Sequence, residues 1–461
     1  MINSAPIIGP INSSRVDAAT EAVDPYPNDL PEGAAVSTMK LSPSAGTAAP
    51  PRRTARTLPT AGPSLARVRE RAGRPVRRLS SDMRRELLWI TVIYVAARML
   101  LILAAVLLDA FNHRPLQTEL ANWDGLWYRA VANHGYPSHV SYHQTNLGFF
   151  PLYPIAIYLV SPIIQLVTAH NQIWASTFAG VLISGVGGLI ATVFVHRLAE
   201  GWWDRATARR ATVLFVFFCG SVVFSMVYSE GLLLPLAAVC IWALERRRWM
   251  LAGVMAGLGT AVQPVGLVLG VVCGVCALRE LWQHGPRSRE FGMSLLAAVM
   301  SATGAVAFAA FLWAWTGSPF ANLIAQHHGW GEKTNPLALV HQFNRVAPSF
   351  DPSHFNHPTV NLNLVVGTVG AVLMIYELWL LWRSRRELSL PAIVWTLGIT
   401  YFAFTSQYTP PNPRLILTAF PMLVLLARWI RPQRFPILVC VNVILFVGLS
   451  LLTFYAHVLR P

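Results

Sequence analysis

Charge is what this 461-residue chain lacks: only 12% of its residues are Asp, Glu, Lys or Arg, against about 25% in an average soluble domain. Lysine has almost vanished. Lys40 and Lys333 are the only two, so nearly all of the 36 basic residues are arginine. A chain of this length cannot clothe a water-soluble surface from that supply, which excludes a soluble globular enzyme. Cysteine is scarce as well. The five are Cys219, Cys240, Cys273, Cys276 and Cys440, all within apolar stretches. Cys273 and Cys276 make a CxxC inside an apolar run with no second pair. That argues against a metal or redox centre and leaves the thiols as small buried hydrophobes.

What fills the chain instead is apolar residue, 54% of the total, with a mean hydropathy of +0.46. From Leu87 onward, apolar runs alternate with short arginine clusters, the pattern of a polytopic α-helical membrane protein. The net charge of +15 does not mark a nucleic-acid binder. Its arginines flank apolar runs and are not interleaved with aromatics on one surface. The preference for Arg over Lys, with abundant Ala, Gly and Pro, points to a high-GC, bacterial genome.

Residues 1–84 have no helical or strand periodicity and read as a disordered basic cytoplasmic tail, suited to anionic lipid headgroups. Arg52-Arg53 is not an export signal, because the first apolar run begins about thirty residues later and is long enough to span. Residues 85–461 form the membrane domain. Spans are predicted at 87–108, 173–195, 210–227, 231–245, 249–263, 265–281, 291–314, 362–382, 390–406, 414–429 and 435–457. Segment 151–168 is apolar but interrupted by Pro151, Pro154 and Pro162, and reads as a re-entrant or interfacial element. If it does not cross, every arginine-rich connector shares one side with the N-terminus: Arg197 to Arg210, Arg246 to Arg248, Arg279 to Arg289, Arg383 to Arg386 and Arg428 to Arg434. Positive charge marks the cytoplasmic face, giving eleven spans with the C-terminus outside. Were it to cross, all later loops would invert and the charge rule would break.

The opposite face then carries few acids: Asp109, Glu119, Asp124, Glu230, Glu332 and Asp351. The densest polar cluster there is Asn122-Trp123-Asp124-Gly125-Leu126-Trp127-Tyr128-Arg129, continuing to His134-Gly135-Tyr136-Pro137. Aromatic rings beside a carboxylate suit a sugar, whose apolar face packs on the rings while its hydroxyls need an acceptor. An interfacial aromatic belt accounts for Trp and Tyr but not for the Asp among them. Glu230 is either a helix-start acid favoured by the dipole or a ligand contact. Arg98, in mid-span, pairs with a lipid phosphate or with a buried group. Arg414, after Pro411-Asn412-Pro413, sits where it binds phosphate or caps a loop. His327, His328 and Trp330 make a further polar-aromatic patch, and two adjacent histidines are a weak case for a metal.

Trp123-Asp124-Gly125-Leu126-Trp127-Tyr128, His134-Gly135-Tyr136 and Phe149-Phe150-Pro151-Leu152-Tyr153-Pro154 resemble the PIG-V family of membrane mannosyltransferases. Tyr228-Ser229-Glu230-Gly231, Glu245-Arg246-Arg247-Arg248-Trp249 and Asn412-Pro413-Arg414 with Thr418-Ala419-Phe420-Pro421 are similar to later blocks of that family in the same order, so the resemblance covers about residues 85–457. It implies a GT-C-type helical bundle that uses a polyprenyl-phosphate sugar, here mannose, on the extracytoplasmic face of the plasma membrane. By match, the essential acid of its first outer loop is Asp124. Two positions depart from the family. Gln263-Pro264 stands where many bacterial members have Arg-Pro, and Asn122-Trp123-Asp124 is not an Asp-x-Asp, so a divalent cation is not indicated and no cofactor is assigned.

The resulting expectation is an inverting transfer of mannose from polyprenyl-phosphate mannose to a membrane-associated glycolipid, lipoglycan or glycan, with Asp124 as the general base. Arg414 or Arg98 would offset charge on the departing phosphate, and Trp123, Trp127 and Tyr128 would hold the sugar. Asn122, Tyr153, Glu230, Gln263 and Trp330 complete the expected substrate contacts. The rival readings are a lipid-linked sugar flippase or secondary transporter, and a non-catalytic partner in envelope assembly. No paired repeat of broken helices supports a transporter.

Overall fold

The computed structural model describes residues 81–112, 116–346, 361–455 and 459. The basic tail falls outside the described residues except for 81–84, and Arg114, Asp351 and the side chain of Asp109 fall outside them too. Among the described residues the architecture is all-helical, with one isolated antiparallel bridge, Thr334–Ser406.

The helices in order are α1 (Ser81–Asn112), α2 (Asp124–His134), α3 (Leu152–Thr168), α4 (Gln172–Trp202), α5 (Arg205–Phe217), α6 (Glu230–Glu245), α7 (Trp249–Thr260), α8 (Val268–His284), α9 (Arg289–Ser301), α10 (Thr303–Thr316), α11 (Ala338–Val346), α12 (Leu362–Ser384), α13 (Leu390–Thr405), α14 (Pro413–Thr418), α15 (Pro421–Trp429) and α16 (Phe435–Tyr455). Their starts are legible. Asn171, Asp204, Ser288, Asn361, Ser389 and Asn412 each accept a backbone N–H at an N-cap, satisfying donors that the first turn leaves open.

Six helical segments are long and apolar enough to cross a bilayer, and seven if α5 and the bent 3-10 segment Cys219–Ser225 make one span. The protein is therefore a multi-pass integral membrane protein. The shorter apolar helices α3, α7 and α13 pack among these. Large side chains such as Leu166, Val167, Ile444 and Trp313 are exposed, as a lipid-facing surface requires.

Contacts sort the connectors onto two faces. On one, Glu86 accepts from Arg205 and Arg209, Trp202 donates to Glu245, Arg247 reaches Glu280 and Glu290, and Trp203 donates to Glu387. The arginine clusters grouped in the sequence thus meet in space. On the other face, the Leu152 amide at the start of α3 bonds the Ala261 carbonyl. The far end of α3 leads to Gln172, whose side chain bonds Asn133 of the first long loop. Both ends of α3 are therefore held by hydrogen bonds on or next to the helix.

Helices α4 and α6 touch through their backbones. A Cβ on Gly187 would lie 1.8 Å from the Gly231 carbonyl oxygen, and one on Gly231 would lie 2.3 Å from Ser184 Cα. Small residues allow such approach between membrane helices, and the contact fixes Glu230, one residue away, against α4.

Arg98 lies inside the bundle and is 6% exposed. Its guanidinium donates to the carbonyls of Ser221 and Val216 and to the hydroxyls of Ser221 and Ser225, and it lies over the rings of Tyr94, Phe224 and Phe446. It satisfies the carbonyls that the break after α5 leaves unpaired, tying α1 and α16 to the bent segment. Each buried carbonyl stripped of its donor costs about 1–3 kcal/mol. Arg98→Leu should therefore lower the Tm of the detergent-solubilised protein by several degrees. An unchanged melting profile would refute this role.

Candidate active site

The first long loop reaches the site through three local devices. The Leu120 carbonyl accepts from the Val227 amide at 2.9 Å, stitching the loop to the segment before α6. Gly125 lets α2 begin there, since a Cβ would sit 3.0 Å from the Val227 carbonyl oxygen. Between them, the Gly125 amide closes a turn onto the Asn122 carbonyl at 3.0 Å, with Trp123 at φ 57°, ψ −119°. Those angles belong to the second residue of a type II′ turn, a place that favours glycine. The turn delivers Asp124 at the first residue of α2. Asn122 is 3% exposed and donates to Glu119 Oε2 at 3.2 Å, so it braces the turn from behind.

Arg414 arrives from the other end of the chain. Asn412 caps α14 and Pro413 is pre-set for its first turn. Gly220 admits the Pro413 carbonyl, which would lie 2.2 Å from any Cβ. Arg414 Nη1 donates to Asp124 Oδ2 at 2.5 Å and lies 3.7 Å from Glu230 Oε1. Its guanidinium sits 5.6 Å from the centre of the Tyr228 ring. The side chains of Asp124, Arg414 and Glu230 are 30%, 19% and 4% exposed, so the cluster is open on the Asp124 side and closed behind Glu230. Two carboxylates share one guanidinium.

The remaining residues divide into a frame and a rim. Tyr128 OH and Ser229 Oγ share a hydrogen bond of 2.7 Å, and Ser229 donates to Gln263 Oε1 at 3.1 Å. Tyr153 OH donates to the Gly180 carbonyl and bonds Ser184 Oγ, which in turn donates to the Tyr228 carbonyl. Tyr128 and Tyr153 are buried, so their hydroxyls pin the 228–229 segment. The rim is aromatic: Trp127 stacks on Phe149 with centroids 6.0 Å apart and meets Trp330 edge-on at 5.1 Å. Trp330 donates to the Thr145 carbonyl. Arg98 is not part of this cluster, being committed to the bent segment described above.

Asp124, Glu230, Arg414, Gln263 and the aromatic rings, each expected from the sequence to contact substrate, are thus gathered in one place. Ser229 and Phe149 join them without having been singled out, although both stand inside the motifs that carry the family resemblance. His328 meets Tyr142 edge-on in a π-helical turn. Glu332 accepts from Ser406 at 2.8 Å; burial pushes its carboxyl above the usual carboxylate range, opposed by the Ser406 hydrogen bond. Among the described residues, no three His, Cys, Asp or Glu side chains gather as a metal site.

Fold and site define a class: a multi-pass helical membrane protein with a carboxylate–guanidinium cluster under an aromatic rim at one face. Residues 94–302 match the family described as Mannosyltransferase (PIG-V), so this segment is similar to that family. Asp124, Glu230 and Gln263 fall within the matched segment, and Arg414 and Trp330 beyond it. No curated protein sequence matches the chain. Among solved structures, it is similar to the apo oligosaccharyltransferase of Archaeoglobus fulgidus, with a TM-score of 0.46 and 13% identity over 80% of this chain and 56% of that one. It is also similar to ArnT from Cupriavidus metallidurans bound to undecaprenyl phosphate, with a TM-score of 0.46 and 14% identity over 74% of this chain and 61% of that one. The chain thus spans less than two thirds of the length of the solved structures it matches.

The turn at Trp123 supplies a test. A non-glycine residue at these angles costs on the order of 1–3 kcal/mol, a cost that Ala would keep and Gly would remove. Trp123→Gly should melt at a higher temperature than Trp123→Ala. Equal Tm values for the two variants would show that the turn carries no such strain.

Proposed function

We propose that the protein transfers a mannosyl residue from polyprenyl-phosphate mannose to a membrane-associated glycan acceptor, with inversion at the anomeric carbon. The reading rests on the match of residues 94–302 to the PIG-V mannosyltransferase family and on one observation: Asp124, Arg414 and Glu230 converge from three distant parts of the chain beneath an aromatic rim. In the free protein Asp124 is held by Arg414. A phosphate arriving on the guanidinium competes for its donors, and Glu230 keeps the guanidinium in place while Asp124 is released toward the acceptor. The acceptor hydroxyl oxygen then attacks the anomeric carbon and its proton passes to Asp124. The bond from that carbon to the phosphate oxygen breaks with its electron pair staying on the phosphate, where Arg414 offsets the charge. A lipid phosphate is a good leaving group, so one carboxylate suffices where a glycosidase uses two. Trp127 and Trp330 offer ring surface to the sugar.

The same proposal assigns a GT-C-type bundle with eleven crossings, the arginine-rich face in the cytoplasm and the Asp124 face outside. It is supported by the contacts that group the arginine connectors on one face. A cysteine introduced at Ser138, on the exposed loop, should react with a membrane-impermeant maleimide in intact cells. Labelling only after the membrane is opened would reverse the orientation.

The chemistry is tested in reconstituted full-length protein with labelled polyprenyl-phosphate mannose. Asp124→Asn should lower kcat by about 10²–10⁴-fold, the usual worth of a positioned base, while the variant keeps its melting profile. A folded Asp124→Asn protein that transfers mannose as fast as wild type would remove Asp124 from this role.

A further inference from the structure

A second polar cavity lies on the Asp124 face, apart from the carboxylate–guanidinium cluster. Its volume is about 200 Å³, and its polar lining comes from Asn335, His341, Gln342, Ser406, Gln407 and Tyr408. The walls are tied together by backbone: the Asn335 amide donates to the Thr405 carbonyl at 2.7 Å and the Gln407 amide to the Lys333 carbonyl at 3.0 Å. Glu332 braces the wall from outside through Ser406. Pro410 closes one end, packed so tightly on α12 that a Cβ on Gly367 would come within 2.5 Å of it. The pocket is a built one.

Its chemistry is specific. Three carboxamides, a hydroxyl, an imidazole and a phenol supply both donors and acceptors, and among the described residues no Lys, Arg, Asp or Glu lines it. That composition suits a neutral polyhydroxylated ring and offers nothing to a phosphate or carboxylate. Gln342 is only 7% exposed, yet its Nε2 has no hydrogen-bond partner. A buried amide donor left open is costly, and a ligand hydroxyl would satisfy it. Leu364 and Pro410 give the apolar contact that the C–H face of a pyranose uses. The size admits one ring and not an oligosaccharide.

We propose that this cavity is a subsite for one neutral pyranose of the acceptor glycan. The assignment rests on the glycosyl-transfer reading above. The neutral lining favours an acceptor ring over the donor sugar, whose phosphate needs a cation beside it; the described lining has none. The segment that forms one wall, 406–410, runs directly into Pro411-Asn412-Pro413-Arg414, so an occupied subsite and the Arg414 cluster sit at the two ends of one short stretch of chain. A sugar held at one end would orient a neighbouring acceptor hydroxyl toward the other, a positioning effect that lowers the entropy cost of attack.

The test uses full-length protein in nanodiscs and direct binding of methyl α-D-mannopyranoside and methyl α-D-glucopyranoside, followed by saturation-transfer NMR, without donor. At least one glycoside should bind. Gln342→Leu, which removes the open donor, and Gln407→Ala, at an exposed position that does not threaten folding, should each weaken binding at least fivefold. Ser138→Ala, at an exposed position outside the pocket lining, should leave it unchanged. Absence of binding to wild type, or pocket variants that bind as wild type does, overturns the subsite. Because no turnover is measured, failure here is distinct from failure of the transfer chemistry, which the donor assay with Asp124→Asn reports.

Discussion

One guanidinium shared between two carboxylates organises this molecule. Arg414 holds Asp124 directly and Glu230 at slightly longer range, and each of the three comes from a distant part of the chain. Burying charge in or near a bilayer is costly unless it is paired, so the pairing constrains where the first loop, the start of α6 and the start of α14 can lie. Much of the close packing around the site serves that meeting. Gly125 admits Val227, Gly231 admits Ser184, and Gly220 admits Pro413.

The two buried arginines illustrate how burial and partners decide what a charge does. Arg98 is surrounded by carbonyls, hydroxyls and rings, and its donors are spent on a break in the helical ladder. Arg414 faces the carboxylates of Asp124 and Glu230. The same side chain is therefore a structural cap in one place and an anion site in the other. The identity of the opposing groups makes the difference.

Much of the site is legible in the chain because chemistry-bearing residues are rare in so apolar a sequence. With few acids on one face, Asp124 and Glu230 stand out by scarcity alone, and Asn412-Pro413 advertises a helix start that presents Arg414. What the sequence hides is the division of labour among aromatics. Trp127 and Tyr128 are neighbours in one motif. Yet Trp127 stacks on Phe149 at the rim while Tyr128 turns inward to Ser229, because adjacent residues on a helix point about 100° apart and only one can face the opening. Asn122 is likewise indistinguishable from a ligand contact by type and position; its hydrogen bond to Glu119 makes it a brace.

The sequence by itself determined that the chain lives in a membrane, since a local property, the length and apolarity of each run, sets whether a helix is stable in lipid. It also determined the sorting of arginine to one face, which depends only on connector composition. The tertiary structure alone decided that Asp124 and Arg414, 290 residues apart, meet, and that Arg98 serves the frame. Those facts depend on which helices pack together, and that is fixed by the fit of small residues and the pairing of buried charges between distant segments, for which no local pattern in the chain carries a signal.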